Sequence, residues 1–316
     1  MAGQPTNSHS RGSATTQCTV ERLLNAALAP STRLAYNAHI RRFNTFTGTA
    51  SFPASTAQVM CFVAYLFENG YSPSSIATHI SAIAYAHKLL GAPDPTDQFI
   101  IRKLVVGATR LTSKPDSRLP ITPPILTKLC TILHNMNYSY YQQTMFKAIF
   151  TLAFFAFLRI GEIAVSSGTK PNYVVQIEDV LILPSGIQLQ MHNYKHSVTR
   201  HPATMHIQRQ PPPICPVQAL ISYIKLRGTA RGPLFCFPDL RPLSKVLINS
   251  NLSLVLQAAG LNPKLFKGHS FRIGAATYAA SQGHTTTQIQ QMGRWHSSAF
   301  QKYVRIDSIA LPNTNK

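Results

Sequence analysis

The sequence predicts a mainly α-helical protein with one small antiparallel β-sheet, built as an all-helical N-terminal domain followed by a mixed α/β domain. Three observations carry that expectation. Helix start and stop signals recur at short intervals through residues 31–111. An aperiodic stretch with two prolines, residues 112–122, then interrupts them. Strand-like patterning is confined to residues 173–208, with helical patterns on either side.

Residues 1–17 are small and polar and are expected to be a disordered tail. The helical domain is placed at 18–111. Ser31 is read as the cap of a helix to about 45, with Leu34, Ile40 and Phe43 on its apolar side. Thr56 opens a second helix to 68, stopped by Asn69-Gly70. Ser72-Pro73 starts a third, the serine as cap and the proline at the first helical position, ending at Gly91. Thr96 is read as the cap of a fourth, to about 111. A linker follows at 112–122. The second domain, 123–306, opens with helices at 123–135 and 138–158. Strands are expected at 174–177, 187–192 and 203–207, the last two joined by 193–202. Helices return at 216–227, 244–259, 271–282, 286–292 and 299–305, and 307–316 is a short tail.

Lys plus Arg number 30 and Asp plus Glu 10, a formal charge of +20 that calls for a polyanionic partner. Nucleic acid fits best, because the charge is spread along the whole chain. A basic factor bound to ribosomes or to a membrane surface is the plainer alternative. Two-metal phosphodiester chemistry needs clustered carboxylates, and Glu178-Asp179 is the only adjacent pair in the second half. Composition therefore favours a metal-free route. The five cysteines are widely spaced with no CxxC, as in reduced packing thiols. The start is polar and the longest apolar run, 148–158, is too short to span a bilayer, so a soluble, intracellular protein is expected.

Seven cations lie on the helical domain: Arg33, Arg41, Arg42, Lys88, Arg102, Lys103 and Arg110. As a set they suit one side of a DNA-binding surface, although each alone also suits a solvated face. In the second domain, Gly268-His269-Ser270-Phe271-Arg272 opens a helix. His269 and Arg272, three apart, share one face beside outward-pointing backbone N–H groups, a natural anion site. Arg159 follows a long apolar helix and needs an anion or a carboxylate partner, with Glu162 one turn away. Tyr303 stands 31 residues after Arg272. His192, His196, His201 and His206 lie close in sequence, but no cysteine or carboxylate joins them, so no metal site is expected.

The order Arg159, Lys195 in a hairpin, His269-x-x-Arg272, then Trp295 or His296, then Tyr303 resembles the tyrosine recombinases, or phage integrase family. Gly293-Arg294-Trp295 close to the tyrosine is most similar to recombinases of eukaryotic Crypton and DIRS mobile elements. The resemblance covers about residues 18–306. It implies a core-binding domain and a catalytic domain forming a C-shaped DNA clamp, and a nuclear location if the source is eukaryotic. It also implies a homotetramer on paired double-stranded DNA sites, with no membrane partner. The family usually places its His or Trp nine residues before the tyrosine. Trp295 is eight before and His296 seven, so both stay open, with Trp295 preferred because its N–H can donate while its ring packs.

The resemblance assigns roles that physical chemistry supports. Arg159, Arg272 and His269 would stabilise the charge that a phosphodiester gathers in its transition state, with no metal. Tyr303 would attack to form a 3′-phosphotyrosine link, a neighbouring imidazole taking its proton. Lys195, preferred over Arg200 in the same hairpin, would protonate the departing 5′ oxygen. The link conserves bond energy, so no cofactor is needed. The rival readings are a type IB topoisomerase with the same tyrosine chemistry, and a domesticated DNA-binding protein without catalysis.

Overall fold

The computed structural model describes residues 9–48, 52–112, 116–166, 171–192, 202–295 and 297–305. Two compact units divide the chain, Met1–Pro115 and Asp116–Lys316.

The first unit is helical: α1 (His9–Ala27), α2 (Pro30–Thr47), α3 (Thr56–Glu68), α4 (Pro73–Leu89) and α5 (Phe99–Thr112). Phe43, Val59, Phe62, Leu66, Ile76, Ile83 and Ile101 meet in its core. Ser55 and Gln58 form a reciprocal capping box at α3, and the Ser72 hydroxyl accepts from Ser75 N at α4. Three expectations are corrected. α1 begins at His9, inside the supposed tail; its later part, residues 17–27, is rich in helix formers and holds neither Gly nor Pro. Ser31 lies inside the first turn of α2, where Pro30 takes the first position that its fixed φ suits and Ala29 is the cap. Thr96 sits in a separate 3-10 turn, Pro95–Asp97, whose cap is Asp94, and α5 starts only at Phe99.

The second unit contains α6 (Pro123–Ile132), α7 (Tyr140–Phe155), α8 (Ile160–Ile163), β1 (Val180–Leu183), β2 (Gly186–Met191), β3 (Ala203–Gln208), α9 (Pro216–Arg227), α10 (Lys245–Ala258), α11 (His269–Ser281) and α12 (Thr286–Met292). The expected helix at the end is a 3-10 helix, Ser298–Tyr303. α7 runs through the core, with Met145, Phe146, Ile149, Phe150, Leu152 and Phe154 all buried. The sheet is antiparallel in the order β1-β2-β3, with Ile187 opposite Ile207 and Leu189 opposite Met205. Ile187, Leu189 and Ile207 face the core.

Two expectations for this unit change. The first strand is 180–183, not 174–177. The backbone of Val175 is already committed, donating to Glu162 O at 2.8 Å and accepting from Leu234 N at 2.8 Å. Residues 116–122, placed in the linker by the sequence, bond within the second unit. Leu119 N donates to Leu265 O and Ile121 N to Ser270 O, and Ile121 is fully buried against Gly274, where a Cβ would lie 1.8 Å from Ile121 O.

Candidate active site

α7 ends at Phe155, and the chain turns through Phe157, a non-glycine residue at φ +50°. That costly conformation aims the Phe157 carbonyl at Arg272 Nη1. Arg159 caps α8: its N–H donates to Glu162 Oε2 at 2.8 Å and its Nη1 to Oε1 at 2.9 Å. The glutamate is 4% exposed and the Arg159 side chain 18%. Glu162 is thus the carboxylate partner of Arg159.

Arg272, in the first turn of α11, has no exposed surface. Nη1 binds Phe157 O and Nη2 binds Gly293 O at 2.8 Å, while Nε is buried without a hydrogen-bond partner. Burial, then the neighbouring Arg159, pushes its pKa down to about 9, so it stays charged at neutral pH. The Trp295 ring lies 4.4 Å from its Cζ and the Tyr303 ring 6.0 Å. Trp295 and Tyr303 are 5.2 Å apart between ring centroids, and His269 stacks 6.3 Å from Tyr303. Burial holds the His269 pKa below the ordinary value, with Arg118, Arg272 and Arg159 adding to the effect and Asp116 opposing it. A neutral imidazole thus sits beside the phenol.

The tyrosine is anchored from behind. Thr277 Oγ1 donates to Tyr303 O at 3.1 Å and accepts from Arg305 N at 3.1 Å. Arg305 Nη2 reaches Asp116 Oδ2 at 2.7 Å, and Asp116 also holds Arg118 at 2.8 Å.

Arg159, His269, Arg272, Trp295 and Tyr303 therefore meet in one place. Lys195 and His296 lie outside the described residues, as do Arg200, His196 and His201. Between the two tryptophan-or-histidine candidates, only Trp295 is placed. His192 pairs with Asp179 at 3.1 Å, and no group of three or more metal-ligating side chains occurs among the described residues.

Four residues of this neighbourhood escaped the sequence reading. Arg294 is 8% exposed and donates to Glu162 Oε2 at 2.7 Å and to Met205 Sδ. Its distance of nine residues from Tyr303 was the available signal. Asp116 and Arg118 were hidden in an apparent linker. Lys245 opens α10 and lies over Gly161, where an added Cβ would meet its Cε and Nζ at 2.7 Å.

The seven cations of the first unit are all exposed. Several heads are nonetheless engaged: Arg33 on Asn25 O, Arg42 on His79 and over the Tyr71 ring, Lys88 on Asp94, Arg102 on Asp97 O and Lys103 over Phe99. Arg41 and Arg110 point outward. Lys103 and Arg110, seven apart, share a face of α5, whereas Arg33 and Arg42, nine apart, lie on opposite sides of α2.

Known proteins resemble this assembly. Lambda integrase(75-356), solved as a dimer bound to a COC′ core site, superposes with a TM-score of 0.62 at 15% identity, covering 96% of this chain and 98% of that one. The fold is that of the tyrosine recombinases. The Tn1549 transposon integrase, in complex with circular intermediate DNA, gives 0.59 at 14% identity over 89% of this chain and 92% of its own. In sequence, an integrase/recombinase xerD homolog of Selenomonas ruminantium is 24% identical over 93% of this chain and 86% of that protein. No family model matches. The chain is thus similar in sequence to an integrase/recombinase and in fold to solved integrases. No described helix is long and apolar enough to cross a membrane.

Proposed function

We propose that this protein is a site-specific DNA recombinase of a mobile element, which breaks and rejoins DNA through a 3′-phosphotyrosine intermediate. The observation that carries the reading is Arg272, a fully buried guanidinium whose Nε has no partner, under the rings of Trp295 and Tyr303. A buried, incompletely bonded cation is costly unless an anion completes it. A DNA phosphate between Arg272 and Arg159 does so.

The residues divide the work. Arg159 and Arg272 bind the non-bridging oxygens and stabilise their growing charge. Tyr303 Oη bonds to phosphorus while the bond from phosphorus to the 5′ oxygen breaks. His269, kept neutral, accepts the phenolic proton, and Lys195 supplies one to the leaving oxygen. Rejoining runs the same steps backwards, so neither metal nor nucleotide is consumed. Trp295, eight residues before Tyr303, takes the part of the family's His or Trp, closing one wall over Arg272. The seven cations of the first unit contact backbone phosphates. Assembly as a tetramer on paired duplex sites, a Crypton- or DIRS-like source and a nuclear location belong to the same proposal.

Incubation with a nicked suicide duplex followed by a denaturing gel tests it. The expected result is a covalent protein–DNA adduct that survives EDTA and is lost in Tyr303→Phe. No adduct on any family-like site, with DNA binding retained, points to a domesticated binding protein. Relaxation of arbitrary supercoiled plasmid points to a topoisomerase.

A further inference from the structure

We infer that Arg294 is a positioning residue that sets the phosphate-binding posture of Arg159 through Glu162. This rests on the phosphodiester reading above. Arg294 stands nine residues before the tyrosine, where the resembling family carries a histidine or tryptophan, yet its side chain is buried against Glu162. Its backbone adopts φ +53°, a strained conformation for a side-chain-bearing residue. The turn sends the guanidinium to Glu162, 132 positions away, with both side chains within 6% of full burial.

The bonding at Glu162 explains what the contact does. Oε1 accepts from Arg159 Nη1 at 2.9 Å. Oε2 accepts from Arg159 N at 2.8 Å and from Arg294 Nη2 at 2.7 Å. An arginine and a carboxylate left alone favour a two-pronged fork. Arg294 occupies the oxygen that the second prong needs. The Arg159 guanidinium is therefore held by Nη1 alone, and its other donors remain for a phosphate. Arg294 also neutralises the carboxylate, so Arg159 does not spend its whole charge there.

The neighbours of Arg294 serve the same centre. Gly293 O holds Arg272 Nη2 at 2.8 Å, and Trp295 covers Arg272. Three consecutive residues thus fix both arginines and one wall. Arg294 also reaches Met205, so β3 is tied to the same point.

Two measurements test the inference. In single-turnover cleavage of the suicide duplex, Arg294→Met lowers the rate roughly 10- to 100-fold, the usual range for outer-shell partners, with DNA affinity changed far less. Arg294→Lys, which restores charge at Oε2, recovers part of the rate. Arg294→Met adds little in an Arg159→Lys background, whereas a purely structural role predicts multiplied losses. Equal cleavage by Arg294→Met and the unmodified protein overturns the inference. The second measurement is calorimetric titration with tungstate, a phosphate-like oxyanion, and needs no cleavage. The protein binds it, and Arg294→Met weakens binding roughly tenfold, about the loss of one charge-assisted contact. Unchanged affinity, or no binding to the unmodified protein, overturns it. Where Arg294→Met fails to fold because Glu162 is left buried and charged, Arg294→Met/Glu162→Gln removes that charge and carries the same comparison. Tungstate binding weakened as expected, but no DNA adduct in any form, would sink the recombinase reading and leave the positioning role standing.

Discussion

Arg227 and Arg272, both buried in the second unit, show what separates a structural cation from a reactive one. Arg227 spends its guanidinium on carbonyls. Nε donates to Pro233 and Leu234, Nη1 to Gly228 and Ala230, and Nη2 to Pro233. It closes the turn after α9, and none of its nitrogens is left over. Arg272 is buried more deeply but commits only its two Nη atoms. Its other neighbours are aromatic rings, two further arginines, Arg159 and Arg294, and the Glu162 carboxylate, which those two arginines already bond. Depth of burial is therefore not the signal. Uncompensated burial is, because it leaves a charge that only an incoming anion completes.

Substitution should pull the two apart. Arg272→Lys keeps a charge but loses the planar fork, and adduct formation should fall by at least about 10²- to 10³-fold, the scale for one removed transition-state donor. Arg227→Met should act the other way round. It strands several buried carbonyls and costs about 3 kcal/mol of stability, seen in chemical denaturation, while cleavage per folded molecule is preserved. Matching losses of rate and stability in both variants would break the comparison.

Gly293→Ala sharpens it. Gly293 has an ordinary φ of −84°, but a Cβ there would sit 1.6 Å from Trp295 Cζ3. The indole must leave Arg272, and a loss of roughly tenfold or more in cleavage is expected with duplex binding intact, since a small misplacement is enough to cost that much. Wild-type rates for this variant would remove Trp295 from the account.

The smaller effects concern pH. His269 is held neutral by burial and by three arginines. Its ability to take the Tyr303 proton is lost as pH falls through its lowered pKa, so the cleavage rate should have an acid limb centred below 6.5. A limb centred above that value would assign it to another group. The first unit offers a contrast. His39 and His79 lie 3.8 Å apart, and Arg42 Nη1 donates to His79 Nε2 at 3.1 Å while His79 Nδ1 donates to Ser75 O. Burial lowers both pKa values; His79 and then Arg42 add to the effect at His39, while at His79 the Ser75 hydrogen bond opposes it and Arg42 adds to it. A folded-state pKa below the unfolded one means that stability is present above the unfolded value near 6.5 and is lost as pH falls below it. Thermal melting of the protein, followed on the first unit, should therefore decline from pH 7 to pH 5. His79→Gln should flatten that slope.

Much of the centre was readable in the sequence because it depends on local spacing. His269 and Arg272 share a helix start, Glu162 caps the turn begun by Arg159, and the boundaries of α3, α9 and α12 follow from their own caps. What stayed hidden depends on partners far away in the chain. Arg294 reads as one more surface cation until Glu162 is found 132 positions upstream. Asp116 and Arg118 read as linker because their partner, Arg305, is 189 and 187 positions off. Val174 and Val175 look like a strand, and their burial is real, but Val174 N donates to Pro171 O, and the partners of Val175 are Glu162 and Leu234 rather than the sheet.

The central claim is that Tyr303 bonds covalently to DNA. The most direct measurement is mass spectrometry of the nuclease-trimmed, protease-digested adduct from a suicide duplex. A nucleotide attached to the peptide containing Tyr303, and absent in Tyr303→Phe, is the predicted result. A nucleotide on any other tyrosine, serine or histidine would contradict it.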